Sequence, residues 1–389
     1  MPTNYTPEEL LAQLVSYPTV SATSNLALIS FVEDYLTSHG IGSARTYNDV
    51  GDKAALHARI GPDCAGGIVL SAHTDVVPVD GQVWSGDPFK LREAGGRLYG
   101  RGTADMKGFA ATVLAHVPKI RPENLKVPIH LALSYDEEIG CLGAPAMIDH
   151  MLRDGPRPSA VIVGEPTNMK VVTGHKGIVV LKTRIRGYPV HSSQLDRGVS
   201  AISAAAQLIG WLDGQTAKNR AKSTPDCPYD PPYTTVHCGV IKGGSAHNIT
   251  AEHCEFVTDI RYLPEERAAD WEAAYRTFAA KSVLPAMRRI SPDCAIDIEK
   301  AADVPGLTEE TDGRAEQLAR SLTGDNGHSV VVYATEGGQF QEKGLSTIVC
   351  GPGSIDQAHQ ADEFIERTEL AKCTAFLDQL CERLYRTLM

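Results

Sequence analysis

A short apolar run, Ile68 to Ala72, enters the segment LSAHTDVVPVDG, residues 70–81, and ends on His73, with Asp75 two residues on. A histidine placed there is either a core residue or a metal ligand whose far ring nitrogen is held by the aspartate. Other β-rich runs also stop on residues that can do chemistry. VPIHLALSYDEEIG ends on Asp136, Glu137 and Glu138, AVIVGEPT ends on Glu165, and STIVCGPGSIDQAHQADE passes Gly351 and Gly353 to reach His359. Between them GRGTADMKG puts Asp105 at the expected N-cap of a helix. Taken singly, each has a structural reading. Tandem acids form solvated loops, Asp105 caps a helix, Glu165 is a turn residue, and His359 is a surface or core histidine. Taken together, His73, Asp105, Glu138, Glu165 and His359 make a mixed nitrogen and oxygen donor set suited to zinc, cobalt or manganese. A bridging carboxylate lets such a set hold two ions.

The elements that must position these residues alternate. Strands are expected at 67–72, 127–134 and 160–164, with helices at 106–117 and 141–151 between them, which predicts an α/β sheet covered by helices. In such sheets ligands bind beyond the carboxyl ends of the strands, and every residue named above lies at or just past a strand end or at a helix start. From about residue 178 the texture changes. GIVVLKTRIRGY alternates, with Val180, Lys182, Arg184 and Arg186 on one wet face. A helix at 200–212, two strands, a long helix at 264–289 and the strand AIDIEKA complete a βαββαβ order. After residue 304 the α/β texture returns, with strands at 329–334 and 346–350 and a closing helix at 367–388. The expected organisation is a catalytic α/β domain with a central mixed sheet, 1–177 and 304–389, interrupted by a smaller α+β domain, 178–303.

The chain has 389 residues, of which 42% are hydrophobic and 22% charged, as in an ordinary soluble globular protein. Its formal net charge of −11 lacks the positive footprint of a nucleic-acid binder. Nine cysteines with no CxxC pair suggest reduced thiols and a cytoplasmic setting. The N-terminal MPTNYTPEELL shows no signal-peptide pattern and starts a helix, with Thr6, Pro7 and Glu9 set for a capping box. No apolar run is long enough to cross a membrane. The chain has no G-x-S-x-G elbow, no Walker loop and no dinucleotide fingerprint, which excludes the commonest serine-hydrolase and nucleotide-binding readings.

SAHTDVVP, GRGTADMKG, SYDEEIG, GEPT and GPGSIDQAHQADE resemble, in order and spacing, the signatures of the two-metal amidohydrolase family. That family contains acetylornithine deacetylase, succinyl-diaminopimelate desuccinylase, aminoacylase and glutamate carboxypeptidase. The resemblance covers nearly the whole chain. It implies a metallopeptidase-type catalytic domain whose inserted domain serves as a lid or dimerisation domain. It also implies two divalent ions, Zn2+ first and Co2+ as an alternative. His73 and Glu165 would bind one ion, Glu138 and His359 the other, and Asp105 would bridge them. Asp75 would hydrogen-bond the far nitrogen of His73, and Glu137 would be the general base, carrying a proton from water to the leaving amine. In the inserted domain, GYPVHSSQLDRG is similar to the lid motif whose histidine, here His191, stabilises the oxyanion. It departs from the family at Leu195 and Ser200, where proline and asparagine are common. GVIKGGSAHNITAEHCEF places Asn248 toward the substrate, with Thr250–Ala251 in place of a more frequent Ile-Pro or Val-Pro. DIRYLPEE places Arg261 where a guanidinium fork grips a substrate carboxylate. The 333–364 stretch looks most like the acetylornithine deacetylases. Glu336 there would meet the cationic δ-amino group or else cap the next helix. The expected activity is therefore hydrolysis of N-acetyl-L-ornithine, in arginine biosynthesis, by a cytoplasmic homodimer that engages neither nucleic acid nor membrane. A broader N-acyl-amino-acid deacylase or a dipeptidase is the alternative, and a non-catalytic binding homologue a third reading.

Overall fold

A computed structural model of the chain describes residues 3–386. It divides into two compact units. One comprises the chain up to Gly174, Leu307–Ser329 and the stretch from Thr335 onward, and the other comprises His175–Gly306 with Val330–Ala334.

The first unit is built on a six-stranded mixed sheet in the order Ser43–Tyr47, Ala54–Ile60, Ile129–Ser134, Ile68–His73, Ala160–Pro166, Thr347–Gly351. The first two strands pair antiparallel, and Ala54–Ile60 runs antiparallel to Ile129–Ser134. From Ile129–Ser134 onward all four strands are parallel. Parallel strands are covered on both faces, so their sequences read as unbroken apolar runs rather than alternations. These four are buried along their whole length. Because they share a direction, their carboxyl ends lie along one edge. His73 and Ser134 are paired in register at that edge, the acidic run follows Ser134, Glu165 is the next-to-last residue of the next strand, and Gly351 ends the one after it.

The helix Gly108–His116 is buried on every face, and its Phe109 and Leu114 join Leu70 and Ile162 of the sheet in one apolar core. The closing helix Arg367–Arg386 adds Leu370, Phe376, Leu377 and Leu380 to that core. The first helix, Pro7–Val15, opens with the expected capping box: the Thr6 hydroxyl accepts the Glu9 N–H at 3.2 Å, and the Glu9 carboxylate accepts the Thr6 N–H at 2.8 Å. All nine cysteines are free thiols. No helix among the described residues is long and apolar enough to cross a membrane.

Two local expectations change. Asp105 is not a helix N-cap. It lies in a tight turn, Thr103–Lys107, where Asp105 (φ −120°, ψ 92°) and Met106 (φ −133°, ψ 32°) leave helical geometry, and the regular helix starts at Gly108. The N–H groups of Gly102, Ala104 and Asp105 are taken by the side chain of Glu363 rather than by a local capping oxygen. The apolar run at 329–334 forms a strand only over Val330–Val331, and Val332 is 40% exposed. A run without cover on both faces does not build a central parallel strand.

The second unit is a four-stranded antiparallel sheet in the order Thr235–Gly243, His253–Tyr262, Gly177–Arg186, Ala295–Val304, with the helix Ala201–Lys222 and the pair Ala268–Phe278 and Leu284–Ile290 completing the βαββαβ order. Gly177–Arg186 alternates strictly. Val179, Leu181 and Ile185 enter the core, while Lys182 and Arg184 pair with Glu255 and Glu299 on the wet face.

Candidate metal centre

His73 is buried at the end of its strand. Its Nδ1 lies 2.9 Å from the backbone carbonyl of Asp75 and 3.5 Å from that residue's Oδ1. A carbonyl can only accept, so Nδ1 carries a proton and Nε2 faces the rim. The tautomer is thus set by the backbone of Asp75 more closely than by its carboxylate. The carboxylate is instead taken by the Ser21 hydroxyl (2.6 Å) and the N–H groups of Glu137 (3.1 Å) and Glu138 (3.4 Å). Asp75 therefore ties the histidine's strand end to the acidic loop.

Around Nε2 the carboxylates converge. Asp105 Oδ1 is 3.0 Å away and Glu165 Oε1 3.6 Å away. On its other side Asp105 Oδ2 is 3.3 Å from His359 Nε2, which is 2.9 Å from Glu138 Oε2. Asp105 thus stands between two histidines. Ligand-type atoms of His73, Glu137 and Glu165 lie within 4.8 Å of one another, and so do those of His73, Asp105 and Glu138. His359, its side chain 54% exposed, sits at the open side with φ +63°.

The electrostatics ask for positive charge. Burial alone would lower the pKa of His73, yet Glu165, Asp105 and Asp75 hold it well above its usual value. Burial raises Glu137 and Glu165 well above the carboxylate range, and with Asp105 it lifts Glu138 to about 7. Asp105, despite burial, is held low by His359 and His73. The hydrogen bonds that His359 donates to the carboxylates of Asp105 and Glu138 raise its pKa to about 10. Glu165 Oε1 is buried with no hydrogen-bond partner among the described residues. An orphaned carboxylate oxygen amid several other acids and two imidazoles is the donor set of a divalent-cation site. The two groups, His73 with Glu137 and Glu165 and His73 with Asp105 and Glu138, have the donors to hold such a cation.

Asp136 does not join them. With φ +54°, a conformation aspartate tolerates, it turns back to accept the Ala22 N–H and to pair with Lys53. Glu137 faces the cluster, and the Cys141 thiol lies 3.4 Å from its Oε1. Glu336 occupies the N-cap position of the helix Gly337–Glu342 without capping it. It is 1% exposed, and its oxygens accept hydrogen bonds from Ser71 (2.9 Å) and Ser134 beneath the strand ends. As placed, it presents no free oxygen to a substrate ammonium. Sequence reasoning missed these serines, and also Ser21 and Lys53. Nothing local marks them, since each partner lies more than fifty positions away.

In the second unit, His191 is exposed and its Nδ1 accepts the Ser193 N–H at 3.2 Å, which puts the proton of the neutral ring on Nε2. The carbonyl of Asn248 accepts the Ser192 N–H at 2.9 Å, so His191 and Asn248 stand on adjacent, bridged segments. Arg261 pairs with Asp259 (Nε–Oδ1 3.0 Å), two residues back on the same face of its strand.

Residues 69–383 match the model of peptidase family M20/M25/M40. The chain is 35% identical over 364 residues to an acetylornithine deacetylase of Pasteurella multocida, with 92% of each chain covered. It is 34% identical over 382 residues to one of Photorhabdus laumondii, with 96% of each covered. Among solved structures, an M20 family metallo-carboxypeptidase from Sulfolobus solfataricus superposes with a TM-score of 0.76 at 16% identity, covering 98% of this chain and all of the other. The motifs at the strand ends, the fold and the relatives agree, and the chain belongs to peptidase family M20/M25/M40.

Proposed function

We propose that this enzyme hydrolyses the amide of an N-acyl amino acid, N-acetyl-L-ornithine in particular, to the free amino acid and a carboxylate. The observation that carries the reading is the pair of overlapping ligand clusters that share His73, with Asp105 between His73 and His359 and Glu137 alongside. His73 and Glu165 would hold one divalent ion and Glu138 and His359 the other, with Asp105 bridging. Bound there, the ions would supply Lewis acidity toward a water and toward the amide carbonyl. The chain's own residues would do the rest. Glu137, desolvated and next to the ligands, takes a water proton on one carboxylate oxygen and delivers it to the leaving nitrogen. His191, protonated on Nε2, donates to the developing oxyanion. Asn248 orients the acyl amide, and Arg261 swings from Asp259 to fork the substrate α-carboxylate.

The ornithine assignment draws support from the deacetylase relatives. The burial of Glu336 favours a second reading, a broader N-acyl-amino-acid deacylase, because the structure gives that carboxylate no face toward an amine. Zinc- or cobalt-loaded enzyme should be assayed on N-acetyl-L-ornithine and on N-acetyl-L-norvaline, which lacks the terminal amine. A large ratio of specificity constants supports ornithine. A ratio near one rejects it in favour of the broader deacylase, and no hydrolysis of either substrate overturns both readings.

A further inference from the structure

Glu363 lies four residues beyond His359. The structure buries it to 1% exposure and surrounds it with donors. Its Oε1 accepts the N–H groups of Ala104 (2.9 Å) and Asp105 (3.1 Å). Its Oε2 accepts the N–H of Gly102 (2.9 Å) and Nη1 of Arg101 (2.8 Å). The turn that carries Asp105 leaves helical geometry and begins at Gly102 with φ +83°. Converging N–H groups of this kind form a concave anion site, and here the anion is the chain's own carboxylate.

The network then reaches the other end of the cluster. Arg101, also buried, donates through Nη1 to the carbonyl of Gln360 (3.2 Å) and through Nη2 to Oε1 of Gln82. The Nε2 of Gln82 donates to the carbonyl of His359 at 2.8 Å. Asp105 and His359, far apart in the chain, thus hang from one buried carboxylate–guanidinium pair. We propose that Glu363 is a positioning residue that fixes the backbone of Asp105, and through Arg101 and Gln82 that of His359, at the spacing two divalent ions require. This rests on the reading of Asp105 as the shared ligand.

The chemistry makes the role testable with a near-isosteric change. Each carboxylate oxygen faces two donors. A carboxamide at this position sets an NH2 group against one of those pairs whichever way it is turned, and it also removes the charge opposite Arg101. Glu363→Gln should therefore release one edge of the turn without leaving a cavity. Residues that orient metal ligands typically govern about 10–100-fold in metal affinity.

The experiment is a Zn2+ titration of metal-free protein against a competing chelator, together with the visible absorption of the Co2+-loaded form. The chains compared are wild type, Glu363→Gln, Glu363→Asp, Asp105→Asn and, as a stability control, Leu377→Ala in the closing helix. The expected result is two ions per wild-type chain, Zn2+ affinity about 10–100-fold weaker in Glu363→Gln with a changed Co2+ band, and an intermediate loss in Glu363→Asp. The Leu377→Ala control should melt earlier yet keep wild-type affinity and spectrum. If Glu363→Gln does not fold, Glu363→Asp carries the same comparison. Wild-type affinity and an unchanged Co2+ band in the folded Glu363 variants would overturn the positioning role while leaving the two-ion reading intact. Fewer than two ions on the wild type, or no loss in Asp105→Asn, would overturn the reading of Asp105 itself.

Discussion

Replacing Asp75 by asparagine tests how the site is assembled. Its carboxylate accepts from the Ser21 hydroxyl at 2.6 Å and from the N–H groups of Glu137 and Glu138 at 3.1 and 3.4 Å, while its backbone carbonyl holds His73 Nδ1. The substitution leaves the backbone contact in place. The least costly amide orientation keeps the oxygen toward Glu137 and turns NH2 toward Ser21, whose hydroxyl can reverse. The N–H of Glu138 then faces a donor. Losing the charge weakens a charge-assisted bond of about 1.5–3 kcal/mol, and a buried N–H left unpaired costs about 1–3 kcal/mol. The sum, about 2–4 kcal/mol after the bonds that survive, falls on the loop that presents Glu137 and Glu138. We expect Asp75→Asn to fold, to bind Zn2+ about 10–100-fold more weakly, and to lose kcat more than it raises KM. Calorimetric Zn2+ titration and steady-state kinetics on the same preparation give all three readouts. Wild-type zinc affinity and turnover in the folded variant would refute the claim that this carboxylate couples the histidine's strand end to the acidic loop.

Glu137→Gln should leave metal content near wild type and lower kcat by at least about a hundredfold; near wild-type turnover, or loss of metal, contradicts its role as proton carrier. His191→Ala should depress kcat more than it raises KM, because a contact to the oxyanion forms mainly in the transition state; weaker substrate binding at unchanged kcat refutes it. On the sheet, His57 Nε2 and His130 Nδ1 are 3.0 Å apart with stacked rings, and burial pulls their pKa values down to about 4 and about 3. Unfolded histidines titrate near 6.5, so between these values the unfolded chain binds more protons. The pair's contribution is whole above pH about 6.5 and is lost as pH falls toward the folded values. Unfolding free energies measured from pH 7 to 4 should therefore fall less steeply in His57→Gln/His130→Gln than in the wild type, and parallel curves would reject the assignment.

Much of the site was legible because it lies where parallel strands end. His73, Glu165 and the Glu137–Glu138 pair follow apolar runs that the sequence shows plainly, and a shared strand direction brings the ends together without further instruction. Asp105 was legible as a residue but not as a conformation. Its turn departs from a helix start because Glu363, some 258 positions away, takes its N–H groups. Glu336 illustrates the same limit. Its place before two glycines reads as an open loop, while its burial depends on hydroxyls at Ser71 and Ser134 that no local pattern links to it. The apolar run at 329–334 misled for a simpler reason: β-branched residues raise strand propensity, but only tertiary cover decides whether a strand forms.

The central claim is that five side chains at one sheet edge hold two divalent ions. Anomalous diffraction at the zinc absorption edge, from crystals of the zinc-loaded chain, tests it most directly. Two peaks are expected, one against His73 Nε2 and Glu165, the other against His359 Nε2 and Glu138. Each should lie about 2.0–2.2 Å from its ligand atoms, with one oxygen of Asp105 on either ion. Peaks elsewhere, or a zinc-loaded structure in which these five side chains point away from one another, would contradict the account.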